Sequence, residues 1–260
     1  MTLEPRRTKT VSGLRPCAVV VGSGHRDGLG GALCARIARE GLPVYAVGRN
    51  TEKLASLVAS IPGEEGEITP VVADISAPEA ITELFAKVEE AGHRPELVIF
   101  NAAERNLPKG LLEMTPAYLE QLWRVCYLGG VYVGQQAIQQ MLPQGHGTLI
   151  FTGASASLRG KARFGAFAAV KAALRNHAQA MAREFGPKGI HVAHVVVDGI
   201  VNGDRAARFG FGLGKAYLMA KGDDGSLLPD AVAEAYWQLH RQHRSAWTQE
   251  LDLRPFKETF

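Results

Sequence analysis

Seven short apolar runs alternate with amphipathic stretches along this chain, and that alternation limits the fold more than any other feature. The runs are "PCAVVVG" (16–22), "PVYAVG" (43–48), "EITPVVAD" (67–74), "ELVIFNA" (96–102), "GTLIFTGA" (147–154), "IHVAHVVVDG" (190–199) and "AWTQELDL" (246–253). Most are rich in Val and Ile and nearly continuous in apolar character, as strands buried on both faces should be. Helical patterns lie between them at about 28–40, 51–60, 77–91, 115–142, 162–186 and 229–242. Thr115-Pro116 marks one helix start, an N-cap residue followed by a proline in the first turn. Strand–helix alternation of this kind implies right-handed βαβ units, hence a three-layer α/β fold around a doubly wound parallel sheet. No internal repeat, low-complexity block or linker divides the chain. Residues 15–260 therefore read as one domain behind a flexible tail over 1–14, whose "PRRTKT" is a solvated basic cluster.

Composition narrows the function classes. A chain of 260 residues buries a large core without disulfides or metals. Its hydrophobic fraction of 46% and charged fraction of 21% are those of a globular protein. A net charge of +3 gives no reason to expect a nucleic acid as partner. No apolar stretch follows the twin arginines as an export signal would require, and no run is long enough to cross a bilayer. Cys17, Cys34 and Cys126 have neither metal-ligand nor redox-pair spacing, and the histidines show no metal-ligand spacing. The expectation is a cytoplasmic protein with no metal, membrane or nucleic-acid role.

"VVVGSGHRDGLGGALCARIA" combines a buried strand, a glycine-rich turn and an amphipathic helix. Gly24, Gly28 and Gly30 stand in a G-x-x-x-G-x-G frame, with Gly22 just before it and Leu29 inside it. Glycines here let the backbone turn sharply and approach a pyrophosphate, while N–H groups at the helix start hold its charge. Glycines also serve ordinary turns; the position between the first strand and a helix is what points to phosphate. The second run ends in Arg49 and Asn50, where a dinucleotide-binding fold meets the adenosine ribose. An acid there would take a free 2′-hydroxyl, whereas an arginine fork suits a 2′-phosphate. Arg26, inside the glycine turn, is placed to approach the same phosphate. The expected cofactor is NADP(H).

Together with Ala73-Asp74 after the third strand, "FNAA" (100–103) after the fourth, "VVVDGIVN" after the sixth and "FGAFAAVK" (164–171), these residues resemble the short-chain dehydrogenase/reductase family from about Cys17 to Leu253. The resemblance implies a Rossmann-type sheet, with Asp74 and Ile75 flanking the adenine and Asn101 and Ala102 lining the cofactor cleft. It also implies that Lys171 holds the nicotinamide ribose, while Gly199 to Val201 border the nicotinamide amide. Departures accompany the likeness. The strand-to-helix turn is longer by about two residues, with "HRD" at its centre. Of the family's Asn, Ser, Tyr and Lys, only Lys171 is kept. Tyr127 falls where the asparagine belongs, Ala154 where the serine belongs with Ser155 one place on, and Phe167 where the tyrosine belongs. Asp198 replaces the proline of the turn after the sixth strand.

In the usual reaction hydride goes to a carbonyl carbon while the tyrosine protonates the oxygen, and a positioned acid of this kind is worth roughly 10²–10⁴ in rate. Phenylalanine supplies no proton. Three explanations stay open. The substrate needs no tyrosine, as with an iminium ion, whose charge the Phe167 ring could face, or an activated alkene. Alternatively a relocated group acts, with Tyr127, Ser155 or Asp198 as candidates beside Lys171; each of these has a plain alternative in packing, backbone bonding or capping. Or the fold binds NADP(H) for a non-redox cyclisation or rearrangement, or as a nucleotide-binding pseudoenzyme.

The segment over about 200–227 joins Phe209, Phe211, Tyr217, Leu218 and Met219 to scattered glycines. It emerges beyond the carboxyl ends of the strands, where open α/β sheets bind ligands, and reads as a lid over a small apolar organic substrate. Phe167, Phe209 and Phe211 are the candidate substrate contacts. Small residues at 165, 166, 168, 169, 172, 173, 178 and 180 let another backbone come close. Part of that stripe should pack on the sheet and part against a second subunit, in a homodimer or homotetramer.

Overall fold

All seven apolar runs pair into one parallel sheet. The computed structural model describes residues 13–61, 66–207, 213–222 and 224–258; the expected tail over 1–14 lies outside the described residues except for its last two. The strands are β1 (Arg15–Val21), β2 (Val44–Gly48), β3 (Ile68–Val72), β4 (His93–Phe100), β5 (Gly147–Thr152), β6 (Ile190–Val197) and β7 (Glu250–Leu253). Their order is β3-β2-β1-β4-β5-β6-β7. The chain therefore winds outward from β1 through β2 to β3, returns to place β4 on the other side of β1, and winds outward again. β1 and β4 flank the point where the direction reverses, the place where such sheets open a ligand crevice beyond their carboxyl ends.

Strand alternation builds both halves of the core. Ala18 and Val20 face the layer made by α1 (Leu29–Ala38), α2 (Thr51–Ala59) and a C-terminal helix over Pro229–Arg241. Cys17, Val19 and Val21 face the opposite layer, made by α3 (Pro78–Glu90), α5 (Gly129–Met141) and α6 (Gly165–Phe185). Between α3 and α5 lies α4 (Pro116–Trp123). After β6 come α7 (Asp204–Ala207) and α8 (Leu213–Ala220), so the C-terminal helix is α9. Each interior strand position is buried because one layer or the other covers it, which is why the runs read as continuous in the sequence.

Two elements depart from expectation for visible reasons. β4 starts at His93, three residues before its apolar run, although Pro95 lacks an N–H for the ladder. The register against β1 shifts between Cys17 and Ala18, opposite Pro95, and this irregularity accommodates the missing donor. The single helix expected over 115–142 is broken by a π-helical turn at Arg124–Leu128. The wider turn separates two neighbours: Cys126 is fully buried against Phe167 and Val170, while Tyr127 packs its ring on Trp123. In helix α6 Ala166, Ala168 and Ala178 are buried, while Ala169 and Ala180 are exposed.

Candidate functional site

The glycine turn after β1 is shaped by its crossing over the loop after β4. Gly22 has φ +96°, and a Cβ there would lie 2.5 Å from the Ala102 nitrogen. No L side chain fits that backbone. Asn101 fastens the crossing, its backbone N–H donating to Val21 O at 2.8 Å and its Nδ2 to Gly22 O at 3.2 Å. Gly24 is different, since a Cβ would meet nothing within 4 Å. Helix α1 begins at Leu29 with Gly28 as N-cap, no side-chain cap and no acid in its first turn. An unfilled space, uncapped N–H groups and the positive end of a ten-residue helix together fit a pyrophosphate. The inserted "HRD" closes on itself, with the Asp27 N–H donating to His25 Nδ1 at 3.3 Å and Gly28 N–H to His25 O at 3.0 Å.

At the end of β2, Arg49 is half exposed, with its guanidinium 3.5 Å from Glu104. The Ser76 backbone N–H, helped by the Ser76 hydroxyl and the Arg49 guanidinium, holds the Asp74 carboxyl below the usual range. Asn50 Oδ1 accepts from Lys53 N–H at 2.8 Å and caps α2. Arg26, expected to approach the same phosphate as Arg49, has a carboxylate partner in this structure. Its Nη2 pairs with Asp230 at the start of α9, 3.1 Å away, because α1 and α9 pack side by side on one face of the sheet. Ile75 is buried and meets α5 at Gly129, where a Cβ would come within 3.0 Å of the Ile75 carbonyl.

Across the crevice, Lys171 is 2% exposed on α6, and its Nζ donates to Thr152 O at the end of β5, 2.8 Å away. Thr152 in turn accepts at Oγ1 from the Tyr236 hydroxyl at 3.0 Å. The Phe167 ring stands one helical turn before the lysine, its centroid 5.7 Å from Nζ, and is buried. Phe167 belongs to a small apolar cluster with Leu122, Cys126 and Val170, extended by Met114 and Tyr118. A cavity of about 350 Å³ lined by Ser76, Pro78, Trp123 and Tyr132 opens between the start of α3 and the α4–α5 segment.

Of the groups expected to act beside Lys171, two are engaged elsewhere. The Tyr127 ring, in the π-helical turn, lies 4.4 Å from Trp123 and 5.9 Å, edge-on, from His177. Asp198 is 3% exposed and ion-paired, with Arg159 Nη2 at 3.0 and 3.2 Å from its two oxygens and Arg254 Nη2 at 3.6 Å. Ser155 opens a 3-10 turn after β5 and offers its carbonyl to Leu158 and Arg159. The buried serine is Ser157, whose Oγ accepts from Ala154 N–H at 3.1 Å. Gly199 lies against Pro255, and Val201 bridges to Leu227. The expected lid is helical over α7 and α8 and buries Leu218, while Phe209 and Phe211 lie outside the described residues.

Beneath this floor sits a second ionisable set. His194 in β6 is fully buried, its Nδ1 3.1 Å from Glu250, which Arg175 clasps at 2.5 and 2.7 Å. Burial pulls the imidazole down to about 4, with Glu250 opposing and the Lys171 ammonium adding to the fall. Sequence patterns did not single out Arg159, Glu104 or the apolar neighbours of Phe167. Each depends on a partner many residues away, and no local spacing encodes that.

A glycine turn at the sheet's switch point, a basic side chain at the end of β2 and a buried lysine on the helix after β5 stand on a doubly wound architecture of the dinucleotide-binding type. The chain matches the short chain dehydrogenase family over residues 17–212 and belongs to it. A short-chain dehydrogenase structure from Rhodopseudomonas palustris is 36% identical, with a TM-score of 0.77 over 93% of this chain and 99% of that one. The short-chain reductase protein NovJ of Streptomyces niveus is 33% identical over 67% of this chain and 65% of its own length. The NADPH-dependent 1-acyldihydroxyacetone phosphate reductase of Saccharomyces cerevisiae is 27% identical over 72% of this chain. That match spans 62% of the yeast protein, so the chain covers less than two thirds of either curated relative. Among the described residues, no helix is long and apolar enough to cross a membrane, and no cluster of His, Cys, Asp or Glu could hold a metal.

Proposed function

We propose that this chain is an NADP(H)-dependent oxidoreductase with a tyrosine-less active site, transferring hydride to a C=O or C=N centre of a small, largely apolar organic molecule. One juxtaposition carries the proposal: the open glycine turn and half-exposed Arg49 on one side of the β1–β4 crevice, and the buried Lys171 ammonium on the other. In this reading Gly22, Gly24, Gly28, Leu29 and Gly30 hold the pyrophosphate, and Arg49 takes the 2′-phosphate with Asn50 fixing the start of α2. Asp74 and Ile75 flank the adenine, Asn101 and Ala102 line the cleft, and Gly199 and Val201 border the amide. Lys171 orients the nicotinamide ribose. The NADPH-dependence named for the yeast relative supports the choice of cofactor.

The bound nicotinamide supplies or accepts the hydride. The chain's own residues then decide which acceptors work. Phe167 brings an apolar face and no proton, so an iminium centre, which becomes a neutral amine on gaining hydride, needs nothing more from the protein. A carbonyl needs a donor. Ser155 is the candidate we keep, because Tyr127 packs its tilted ring on Trp123 and Asp198 is held by two arginines. Exposed Ala169 and Ala180 on α6, with the part-exposed Leu119 and Trp123 on α4, support a second copy of the chain on that face.

Fluorescence titration with NADPH and NADH is the test. Binding with preference for NADPH is expected, and binding of neither overturns the proposal. NADPH oxidation is then followed with ketones, cyclic imines and enones. Cofactor binding without oxidation by any of them transfers the assignment to a non-redox reaction on the same fold.

A further inference from the structure

Arg159 is unlike the other charged residues near the crevice. It follows the Ser155 turn, to whose carbonyl its N–H donates at 3.1 Å, and reaches across the carboxyl ends of β5 and β6 to Asp198. Asp198 is 3% exposed while the Arg159 side chain is 49% exposed, so a buried carboxylate fixes an open guanidinium. Only Nη2 is used in that ion pair. A guanidinium has five N–H donors in one plane, and those on Nε and Nη1 take no part in the Asp198 pair and can serve a second oxyanion.

The surroundings share this sign. The loop after β4 and the loop between β5 and α6 are joined by a hydrogen bond from Lys109 N–H to Arg163 O at 2.8 Å. Arg163 holds a left-handed backbone, φ 67°, to make that junction. The joined loops carry Arg105, Lys109, Arg159, Lys161 and Arg163 against Glu104 and Glu113. Glu104 faces Arg49 on the cofactor side and Glu113 faces Arg163, which leaves an excess of positive charge around the apolar cluster at Phe167. Such a rim draws anions toward the crevice.

We infer that the substrate is an amphiphilic small molecule whose apolar body lies against the Phe167 cluster and whose carboxylate or phosphate group is gripped by Arg159, with Asp198 as the positioning residue. The inference rests on the proposed cofactor reading, since it places the oxyanion beside the centre that exchanges hydride. It deepens that reading by giving the substrate class: acidic carbonyl or imine compounds, such as keto acids, cyclic imino acids or their phosphorylated counterparts.

The experiment uses the full chain, alone and saturated with NADP+, and isothermal titration with benzoate, phenyl phosphate and benzamide as matched probes. One or both anions should bind about tenfold or more tightly than neutral benzamide, and the preferred anion separates carboxylate from phosphate. Added salt should erode that advantage. Arg159→Gln should abolish it while NADPH affinity is unchanged, and Arg159→Lys should keep a remnant, because a point charge attracts but cannot fork. NADPH binding by the Gln variant certifies that it is folded. Equal binding of benzamide and the anions, or an anion preference that survives Arg159→Gln, overturns the inference. Anion selectivity in a chain that binds neither NADPH nor NADH would instead sink the cofactor reading and leave an oxyanion site standing.

Discussion

The two sides of the crevice are built by different means. On the β1–β2 side the shape is made by backbone: Gly22 passes the loop after β4 at a distance no side chain could share, and α1 starts without a cap. On the β5–β6 side the shape is made by side chains brought from far apart, with Lys171 on Thr152, Arg159 on Asp198, and His194 on Glu250. A backbone-built site tolerates little change because its geometry is its chemistry. A side-chain-built site can exchange groups on the same frame, and Phe167 is the group that most invites exchange.

Phe167→Tyr should therefore give the largest effect of any single substitution. It places a phenol one turn before Lys171. If the missing acid limits carbonyl reduction, kcat on ketones should rise by roughly 10²–10⁴, about 3–5 kcal/mol of barrier. Steady-state NADPH oxidation on matched ketones and cyclic imines checks it. A gain confined to ketones supports an acceptor that needs no protein proton, whereas loss on imines alone shows that the phenylalanine ring itself serves that substrate.

The opposite side should break where it is crowded and weaken where it is open. Gly22→Val forces a branched side chain onto a φ of +96° and into the Ala102 backbone. Destabilisation of about 3 kcal/mol or more is expected by urea denaturation. Gly24→Ala meets nothing within the protein. Its stability should stay within about 0.5 kcal/mol while NADPH binding weakens, because the new methyl occupies the space proposed for the pyrophosphate. Equal loss of stability in both would erase the distinction between them.

Acid should separate the two sides as well. The buried His194 titrates near about 4, below its ordinary 6.5, so the unfolded chain takes up a proton that the folded chain refuses. Stability from this group is complete above the unfolded value and is lost as pH falls from about 6.5 to about 4, to an extent of about 3 kcal/mol. Denaturation midpoints measured across that range should fall steeply for the native chain and less steeply for His194→Gln. Parallel curves would show that His194 is not the group responsible.

Strand positions were legible because burial on both faces writes itself into consecutive residues, and all seven runs pair where the alternation expects them. The glycine turn was legible for the same local reason. What stayed hidden are contacts that join distant segments. Arg49 meets Glu104 from another loop, Arg26 meets Asp230 on the last helix, and Asp198 is held from both sides by Arg159 and Arg254. Tyr127 illustrates the point in one residue: the helix around it was readable, but the π-helical turn that aims its ring at Trp123 follows no 3.6-residue pattern.

The smallest expected effect probes one of those hidden contacts. Arg49 is shared between Glu104 and the proposed 2′-phosphate, so the carboxylate and the cofactor compete for one guanidinium. Arg49→Met should weaken NADPH by about tenfold or more, about 1.4 kcal/mol, and leave NADH nearly unchanged. Glu104→Gln frees the arginine and should tighten NADPH by only about threefold, since a half-exposed ion pair is worth little in water. The double variant then decides how Glu104 acts. If it works by occupying Arg49, Glu104→Gln should do nothing in the Arg49→Met background. If its charge repels the phosphate directly, the threefold gain should persist there, and fade with added salt.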